Sequence, residues 1–570
     1  MNTPSIKQKL TEYFEQSDWA AFIEASLQLM AIEPENPQHF INTAVAYRNL
    51  GQLTREIGVL QIALNRFPIE KPTIIKTLIK AYIDLGQLEA CAQLAVPELA
   101  QTDDDLLRDA IISALVDSGD SVWLRIMCLK AIEDHKAEGR LRKAICKILG
   151  LIGDYESVNK LAREIPEADV DRYFFTAVAL KELGDESEAI AYAQIGRSVL
   201  SAPADLALLH RFEADIRYQM MHQHEAIEHY RKAVTLDPTV PGLFASLYVS
   251  LHYYDQVDEA EIAKVAQNWN KLLGVIPTRH SGTRTTQKKL RLGIISNGFK
   301  VHPVGWMTAG FFCSLADHVE TAEVFVFDND PGTDYISKTI RAVSPHYQDV
   351  SELDHDQLYN VLREHRLDAI VDCLGFQAGS RLPTLVRKPS PVNIKWIGGL
   401  VGSTYLDAFD YLITDELQTP VEDESKFTEN VIRLPDCYVT YTPPPAQANL
   451  WTKPCPVQTN KYVTFGYFNN GIKISPTTIR LWSEILASVP SSKLILKDRR
   501  FEKSENKEYI INEFKKYGVE KDALSFIGKS SHEAHLLAHQ DVDICLDAIP
   551  YSGGLCTLEA LYMNRPVIAR

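Results

Sequence analysis

Five glycines in the first third of the chain recur at a nearly constant interval. Gly51, Gly86, Gly119, Gly153 and Gly184 are separated by 35, 33, 34 and 31 residues, and each follows a stretch whose apolar residues have helical spacing. A period of about 34 residues is typical of arrays in which every repeat is a pair of helices, and glycine permits the left-handed backbone that ends a helix. The period predicts an all-α region of stacked helix pairs.

Individual repeats resemble tetratricopeptide repeats. Residues 225–238, EAIEHYRKAVTLDP, are similar to the second helix of such a repeat with its closing proline. We therefore expect tetratricopeptide-like helical repeats over residues 1–276, with a generic all-helical domain as the alternative. A stack of helix pairs offers a concave surface to an extended chain, so the expected partner there is a protein or peptide.

Composition excludes several classes of protein and partner. The 570 residues are 45% hydrophobic and carry a formal net charge of -16, which is typical of a globular chain with no general attraction to nucleic acid or to an anionic membrane. The sequence predicts neither a membrane span nor a signal peptide. Nine cysteines without a C-x-x-C pair favour neither a disulfide framework nor a zinc site, so a cytoplasmic location is expected.

The sequence changes character at residues 277–289, a polar segment without periodicity that we interpret as a linker. Short apolar runs then alternate with helical stretches, which indicates parallel sheets covered by helices on both faces. A proline-rich connection, 442–460, divides this α/β region into two Rossmann-like lobes, 290–441 and 461–570. Ligands are expected at the carboxyl ends of the strands. The predicted strands are 290–296, 322–327, 369–374, 393–397, 462–467, 493–496, 524–527 and 542–546.

Residues able to bind an anion follow predicted strands of the second lobe. Lys473 comes shortly after the first of these strands, and a turn with Gly553 and Gly554 opens a helix after the last. A lysine and a helix N-terminus facing one cleft can neutralise the charge that grows on a departing diphosphate without a metal. In the first lobe, His302 lies on a proline-stiffened loop after the first strand. Together these positions predict a nucleotide-sugar site.

The order of these motifs resembles the O-GlcNAc transferase family. The resemblance implies the two-lobed B-type glycosyltransferase fold and an inverting, metal-independent transfer of GlcNAc from UDP-GlcNAc to Ser or Thr hydroxyls of protein, with no cofactor. It also implies that the second lobe is truncated, because family members continue beyond the final strand. The segments that carry the resemblance are 296–303, 388–396, 410–415, 469–473 and 543–557.

By motif position, the resemblance also implies roles for single residues. Lys473 would neutralise the diphosphate, while His302 and His346 would line the sugar and acceptor side, where either could act as the base. The remaining implied donor contacts are Asn470 beside the lysine, Ser530, His532 and His535 at the base and ribose, Gly553, Gly554, Cys556 and Thr557 at the phosphates, and Glu559 at the ribose.

Departures from the family pattern leave alternatives open. Residues 554–556, Gly-Leu-Cys, replace a His-Thr-Thr run of animal members, and residues 399–402 replace a Tyr-Pro-Gly-Thr. Because His532 stands in place of a lysine at the base, the same fold could use UDP-glucose with Asn or GDP-fucose with Ser or Thr. A non-catalytic tetratricopeptide scaffold with an inactive transferase half is the other alternative. Residues 328–330, Asp-Asn-Asp, fit a metal-binding D-x-D pattern but are expected to form a solvated turn.

Overall fold

A computed structural model describes residues 3–135, 139–274, 289–315, 320–377, 379–400, 402–444 and 454–569. Its contacts divide the chain into two compact units, Met1–Phe212 and Glu213–Arg570. The predicted linker, apart from its last residue, and residues 445–453 of the predicted proline-rich connection lie outside the described residues. Within the described part of the chain, no helix is long and apolar enough to cross a membrane.

The first unit is a row of helices joined by short turns. Neighbours along the chain pack on each other, and α5 also packs on α7 and α9 on α11, as expected when helix pairs stack. The helices are α1 (Thr3–Glu15), α2 (Trp19–Ile32), α3 (Pro37–Asn49), α4 (Leu53–Arg66), α5 (Lys71–Asp84), α6 (Leu88–Gln101), α7 (Asp105–Val116), α8 (Ser121–His135), α9 (Arg140–Leu151), α10 (Tyr155–Ala162), α11 (Val170–Glu182), α12 (Glu186–Val199) and α13 (Pro203–Gln219), which continues into the second unit.

The turn glycines of the 34-residue period adopt the left-handed backbone conformation that their positions predict. All five have φ between 69° and 94°, a conformation in which a side chain with a Cβ is strained. Small buried side chains such as Ala44, Ala63 and Ala81 let neighbouring helices approach closely. The prediction of tetratricopeptide-like helix pairs is confirmed, since both the turns and the packing follow from the repeat.

The second unit begins with the end of α13 and three further helices, α14 (Gln223–Leu236), α15 (Pro241–His252) and α16 (Glu259–Leu273). A parallel seven-stranded sheet follows, in the order β3-β2-β1-β4-β5-β6-β7. Its elements are β1 (Leu290–Ser296), α17 (Pro303–Ser314), β2 (Ala322–Asp328), α18 (Tyr335–Val343), β3 (His346–Asp349), α19 (His355–Glu364), β4 (Ala369–Asp372), α20 (Leu382–Leu385), β5 (Val392–Lys395), β6 (Tyr411–Asp415) and β7 (Asn430–Leu434).

A second parallel sheet has five strands in the order β10-β9-β8-β11-β12. The predicted α/β architecture with two parallel sheets is therefore confirmed. The elements are α21 (Pro456–Asn460), β8 (Thr464–Tyr467), α22 (Pro476–Ser488), β9 (Lys493–Lys497), α23 (Ser504–Lys515), β10 (Leu524–Ile527), α24 (His532–Ala538), β11 (Ile544–Leu546), α25 (Leu555–Tyr562) and β12 (Val567–Ile568).

Three strands of the first sheet were not predicted from the sequence, namely β3, β6 and β7. Strands β3 and β7 lie at the two edges of the sheet, where one side of each strand has no neighbour to bury it. Strand β3 consists of the polar run His-Tyr-Gln-Asp, and β7 alternates exposed and half-buried residues. Neither edge strand therefore shows the continuous apolar run that marks the central strands.

Candidate functional site

In each sheet the chain adds strands first on one side of the initial strand and then, after one switch, on the other side. In the second sheet this happens between the neighbours β8 and β11, and ligands of open parallel sheets bind outside the carboxyl ends of such a pair. The segment after β8 carries Asn470 and Lys473, and the segment after β11 carries Asp547, Gly553 and the start of α25. The topology thus places the predicted phosphate-binding residues at the same point.

Lys473 ends a short turn that the sequence closes with its own cap. The Asn470 side-chain oxygen accepts a hydrogen bond from the Ile472 amide at 3.1 Å and another from Arg500 Nη1 at 3.1 Å. Lys473 is 8% exposed, and its Nζ donates to the Ser552 carbonyl at 3.0 Å. The ammonium group therefore reaches from the β8 side of the sheet to the turn after β11.

Two opposing effects act on the charge of Lys473. Burial lowers the pKa of its ammonium, while the nearby Asp547 carboxylate and the Cys556 side chain favour the charged form. The Nζ atom also lies 4.9 Å from the ring centroid of Tyr551 and 5.7 Å from that of Tyr253, within the range of cation–π attraction. The lysine is a buried cation held by a carbonyl and two aromatic rings.

The glycine turn after β11 is fixed by Asp547. Its Oδ2 accepts from the Gly553 amide at 2.7 Å, and Thr557 Oγ1 lies 3.4 Å from the same oxygen. A Cβ on Gly553 would come within 2.8 Å of Asn469 Nδ2 and 2.9 Å of Thr557 Oγ1, so a larger residue would force one of these side chains to move. Helix α25 begins at this turn without a side-chain cap, which leaves N–H groups of its first turn for an anion.

Glu559 on α25 meets two histidines of α24. Its Oε1 lies 2.6 Å from His532 Nε2 and its Oε2 lies 3.2 Å from His535 Nε2. Burial alone would raise the pKa of this carboxyl, but the hydrogen bond with His532 and the nearby His535 imidazole outweigh burial, and the pKa of Glu559 is lowered to about 2. Ser530, just before α24, is exposed, and its hydroxyl donates to the Ser531 carbonyl at 3.2 Å.

The first lobe contributes His302 at the corresponding end of its own sheet, after β1. His302 caps α17, since its Nδ1 accepts from the Val304 amide at 3.3 Å. Burial is the main cause that lowers the pKa of this imidazole, and Lys300 lowers it further. Trp306, one turn along α17, packs on the His532 ring with centroids 4.6 Å apart. Helix α17 of the first lobe therefore touches the histidine side of the second.

Comparison with known proteins identifies the family. The model of "Glycosyl transferase family 41" matches residues 237–441 and 452–570. The chain belongs to glycosyl transferase family 41. The match includes both sheets and the last two helices before them, so the site described above lies inside the family 41 region.

Curated relatives of this family 41 chain include two plant proteins with the same name, "Probable UDP-N-acetylglucosamine--peptide N-acetylglucosaminyltransferase SPINDLY". The one from Oryza sativa subsp. japonica is 28% identical over 355 residues, which cover 60% of this chain and 37% of that protein. The one from Arabidopsis thaliana is 28% identical over 343 residues, covering 58% and 37%. The chain thus matches little more than a third of the length of either relative.

The fold of the chain is also similar to that of a solved bacterial structure, a single-substitution mutant of the O-GlcNAc transferase from Thermobaculum terrenum. The TM-score is 0.62 with 24% sequence identity, over 85% of this chain and 82% of that one. At this identity the likeness concerns the fold, and it supports the expected arrangement of helical repeats followed by the α/β region.

The structure brings most of the predicted site residues of this family 41 chain together, but His346 lies elsewhere. It begins β3 and pairs with Phe325, in the middle of β2, while its Nε2 lies 3.0 Å from the Glu323 carboxylate. The ring stacks on Phe325 with centroids 4.6 Å apart. His346 therefore stands toward the amino ends of the strands, whereas His302 follows the carboxyl end of β1.

The Asp-Asn-Asp segment at the end of β2 differs from the expected solvated turn. Asp328 is fully buried and accepts a hydrogen bond from the Tyr347 hydroxyl at 2.7 Å, while Asp330 pairs with Lys300 at the surface. Burial raises the pKa of Asp328. Within the described ranges of the chain, no group of three or more His, Cys, Asp or Glu side chains is arranged to hold a metal ion.

Sequence reasoning missed several residues that complete the site. Tyr253, next to Lys473, comes from the end of helix α15, about 220 residues earlier in the sequence, and has no local motif. His539 is fully buried, and its pKa is lowered to about 4 by burial and by His535. In the first lobe, the fully buried Lys395 donates to the carbonyl of Gly398 at 2.6 Å and so anchors the glycine loop after β5. Only the apolar setting of Lys395 within a strand could have signalled it.

Proposed function

We propose that this chain is an inverting protein glycosyltransferase that takes GlcNAc from UDP-GlcNAc and transfers it to Ser or Thr hydroxyls. The observation that carries the proposal is the contact of Lys473 with the turn that opens α25. This contact lies at the switch point of the second sheet, between β8 and β11. The choice of UDP-GlcNAc is supported by the names of the SPINDLY relatives.

The proposed donor site follows from the charges of the second lobe. Lys473 and first-turn amides of α25 such as that of Cys556 bind the diphosphate and stabilise the negative charge on the leaving oxygen. The Thr557 amide donates to the Gly554 carbonyl, so the proposed contact of Thr557 is through its hydroxyl. Asn470 supports the lysine by capping its turn. These groups supply the required positive potential, so the reaction is proposed to proceed without a resident metal.

The proposed nucleoside side lies at α24. Glu559, ionised over the whole physiological range, accepts hydrogen bonds from the ribose in exchange for those of His532 or His535. Ser530 lies just before the helix and is open to the base. The turn at Gly553 and Gly554 gives the backbone room to approach the ribose and phosphates.

Transfer would occur by direct attack of the acceptor hydroxyl on the anomeric carbon, opposite the departing UDP. His302 is the proposed base, because burial favours its neutral imidazole; the hydroxyl proton would go to Nδ1, which must give up its hydrogen bond from the Val304 amide to accept it. His346 lies outside the proposed site, since it is engaged with Glu323 toward the amino ends of the strands.

We further propose that the acceptor protein binds along the first helices of the repeats. Helices α7, α9, α11 and α13 line one groove with a volume of about 630 Å³, which contains Lys143, Lys147, Phe174 and Phe175. The two lysines are paired with Asp171 and Asp109 of the same groove, and such a mixture of paired charges and aromatic rings suits an extended peptide with polar residues. A cytoplasmic location is proposed as well, supported by nine cysteines that are all free thiols.

Nucleotide binding by the full chain tests the donor site. UDP should bind and GDP should not, and Lys473→Met should weaken UDP binding at least ~30-fold, since truncating one member of a buried charge pair costs about 2 kcal/mol or more. The matched control is Lys515→Met on the exposed end of α23, which removes the same charge from the surface. Transfer of labelled sugar from UDP-GlcNAc, UDP-glucose and GDP-fucose to a protein acceptor then identifies the donor.

Three results would refute the proposal in whole or in part. A wild-type chain to which UDP does not bind has no donor site, and the scaffold alternative would then hold. UDP affinity that is unchanged in Lys473→Met would show that the lysine does not contact the diphosphate. Transfer only from GDP-fucose or UDP-glucose would replace the proposed donor while keeping the enzyme class.

A further inference from the structure

Helices α14 and α15, near the start of the second unit, reach Lys473 with side chains of their own and of their connecting loops. The Gln223 side-chain amide donates to the Ile472 carbonyl and, at 3.3 Å, to the Tyr253 carbonyl. Gln223 is buried, with 6% exposure. One amide therefore ties the residue after α15 to the residue just before Lys473.

Two more contacts fix the same region. Asp255 Oδ2 accepts from the Thr477 amide at 2.8 Å, at the first turn of α22. The Met221 sulfur approaches Gly471 so closely that a Cβ there would lie 3.0 Å from it. The turn that carries Lys473 is thus held on one side by residues of the helical segment that opens the second unit, before the first sheet.

Tyr253 faces the ammonium group from this side. Its ring packs edge to face against Tyr551, with centroids 5.3 Å apart and an interplanar angle of 66°, and Lys473 Nζ lies within 6 Å of both ring centroids. Tyr551 belongs to the turn after β11, so the two rings approach the lysine from different parts of the fold. Together they form an aromatic sleeve, defined here as Tyr253 and Tyr551.

We infer that Tyr253 is a positioning residue for Lys473, through which the helices that precede the first sheet help to keep the ammonium charged and directed at the donor diphosphate. This inference rests on the proposed function for the identity of the ligand. The π face of each ring attracts a cation and does not neutralise it, unlike a carboxylate. The charge therefore stays available to an anion that enters the site.

The pKa of Lys473 gives the direct test. The charged and titratable groups that face it are Asp547 after β11 and Cys556 on α25, besides the phenols of Tyr253 and Tyr551. A change at Tyr253 leaves Asp547, Cys556 and Tyr551 in the sequence. Competitive acetylation of the full chain with acetic anhydride between pH 7 and pH 11, read by peptide mass spectrometry, measures the pKa of the lysine without any ligand. Acetylation in the presence and absence of UDP measures occupancy of the site.

Tyr253→Leu should lower the pKa of Lys473 by about half a unit or more, because one cation–π contact is lost, and should weaken UDP protection at pH 8 several-fold. Tyr253→Phe keeps the ring and should restore both values. The matched control is Tyr254→Leu, which removes the neighbouring tyrosine, whose hydroxyl instead lies near His224 and Gln256. A purely structural role would lower thermal stability without moving the pKa.

An unchanged pKa of Lys473 in Tyr253→Leu would overturn the inference, as would a Phe variant that behaves like the Leu variant. Failure of the proposed function is a separate result: UDP would then not protect Lys473 in the wild-type chain, while the acetylation profile would still decide whether Tyr253 acts on the lysine.

Discussion

Replacing Glu559 with glutamine isolates the charge of the carboxylate that joins α24 to α25. The amide has nearly the same shape and still offers an acceptor oxygen to His532 or His535, so the main loss is ionic. The side chain is 2% exposed, and solvent screening is therefore small. The expected effect is a loss of stability that depends on pH in a defined direction.

The magnitude follows from the pKa of Glu559, which is lowered from its ordinary value of 4.5 to about 2. A lowered carboxylate pKa stabilises the folded state above the unfolded pKa, and this stability is lost as the pH falls through the folded pKa. Each unit corresponds to about 1.4 kcal/mol. Glu559→Gln should therefore cost about 3 kcal/mol at pH 6 and only about 1 kcal/mol at pH 3.

Urea unfolding of both proteins at pH 6, 4.5 and 3, followed by tryptophan fluorescence, measures the difference. Glu533→Gln is the matched control, because Glu533 is an exposed carboxylate on α24, next to His532, and should change stability by less than about 0.5 kcal/mol. Equal stability of wild type and Glu559→Gln at pH 6 would refute the reasoning. So would a difference that stays constant down to pH 3, since the loss would then come from packing and not from charge.

Two further predictions concern other parts of the second unit. Gly305→Ala should destabilise the chain by about 1–3 kcal/mol or more in thermal or urea unfolding, because the new Cβ would lie 2.1 Å from the Lys300 carbonyl oxygen. The control is Gly402→Ala, since nothing among the described residues lies within 4 Å of a Cβ at that position. Equal stability of the two variants would contradict the clash. In the native chain, dithionitrobenzoate should label the exposed Cys313 and Cys437 first, and early labelling of the buried thiols, seen by peptide mass spectrometry, would contradict the burial described here.

The repeats were predictable from the sequence because their signal is local and repeated. A turn glycine with φ near 70° needs no distant partner, so its spacing alone reveals the helix pairs. Central strands such as β1 and β8 were predictable for the same reason, since burial on both faces requires an unbroken apolar run. Edge strands such as β3 and β7 lack this requirement and gave no signal.

The candidate site was predictable only where it follows strands along the chain. Lys473 and Gly553 stand directly after β8 and β11, and parallel strands bring their carboxyl ends to one edge. The role of His346 rests on a motif alone, and its imidazole contacts Glu323 near the start of β2 and not the carboxyl ends of the strands. Tyr253 shows the limit of local reasoning, because its contact with Lys473 depends on how α15 packs on the second lobe.

The partners of Lys473 and Asp547 explain how a buried cation can serve an incoming anion. Within the described part of the chain, no carboxylate lies within salt-bridge distance of Lys473 Nζ. Asp547, the carboxylate that favours its charge, is instead occupied by the amides of Gly553 and Ala548. The lysine is left with the Ser552 carbonyl and the aromatic sleeve, which are weaker partners than a diphosphate. Binding of a diphosphate would therefore replace weak contacts and would not have to break an ion pair, which is the preorganisation that transition-state stabilisation requires.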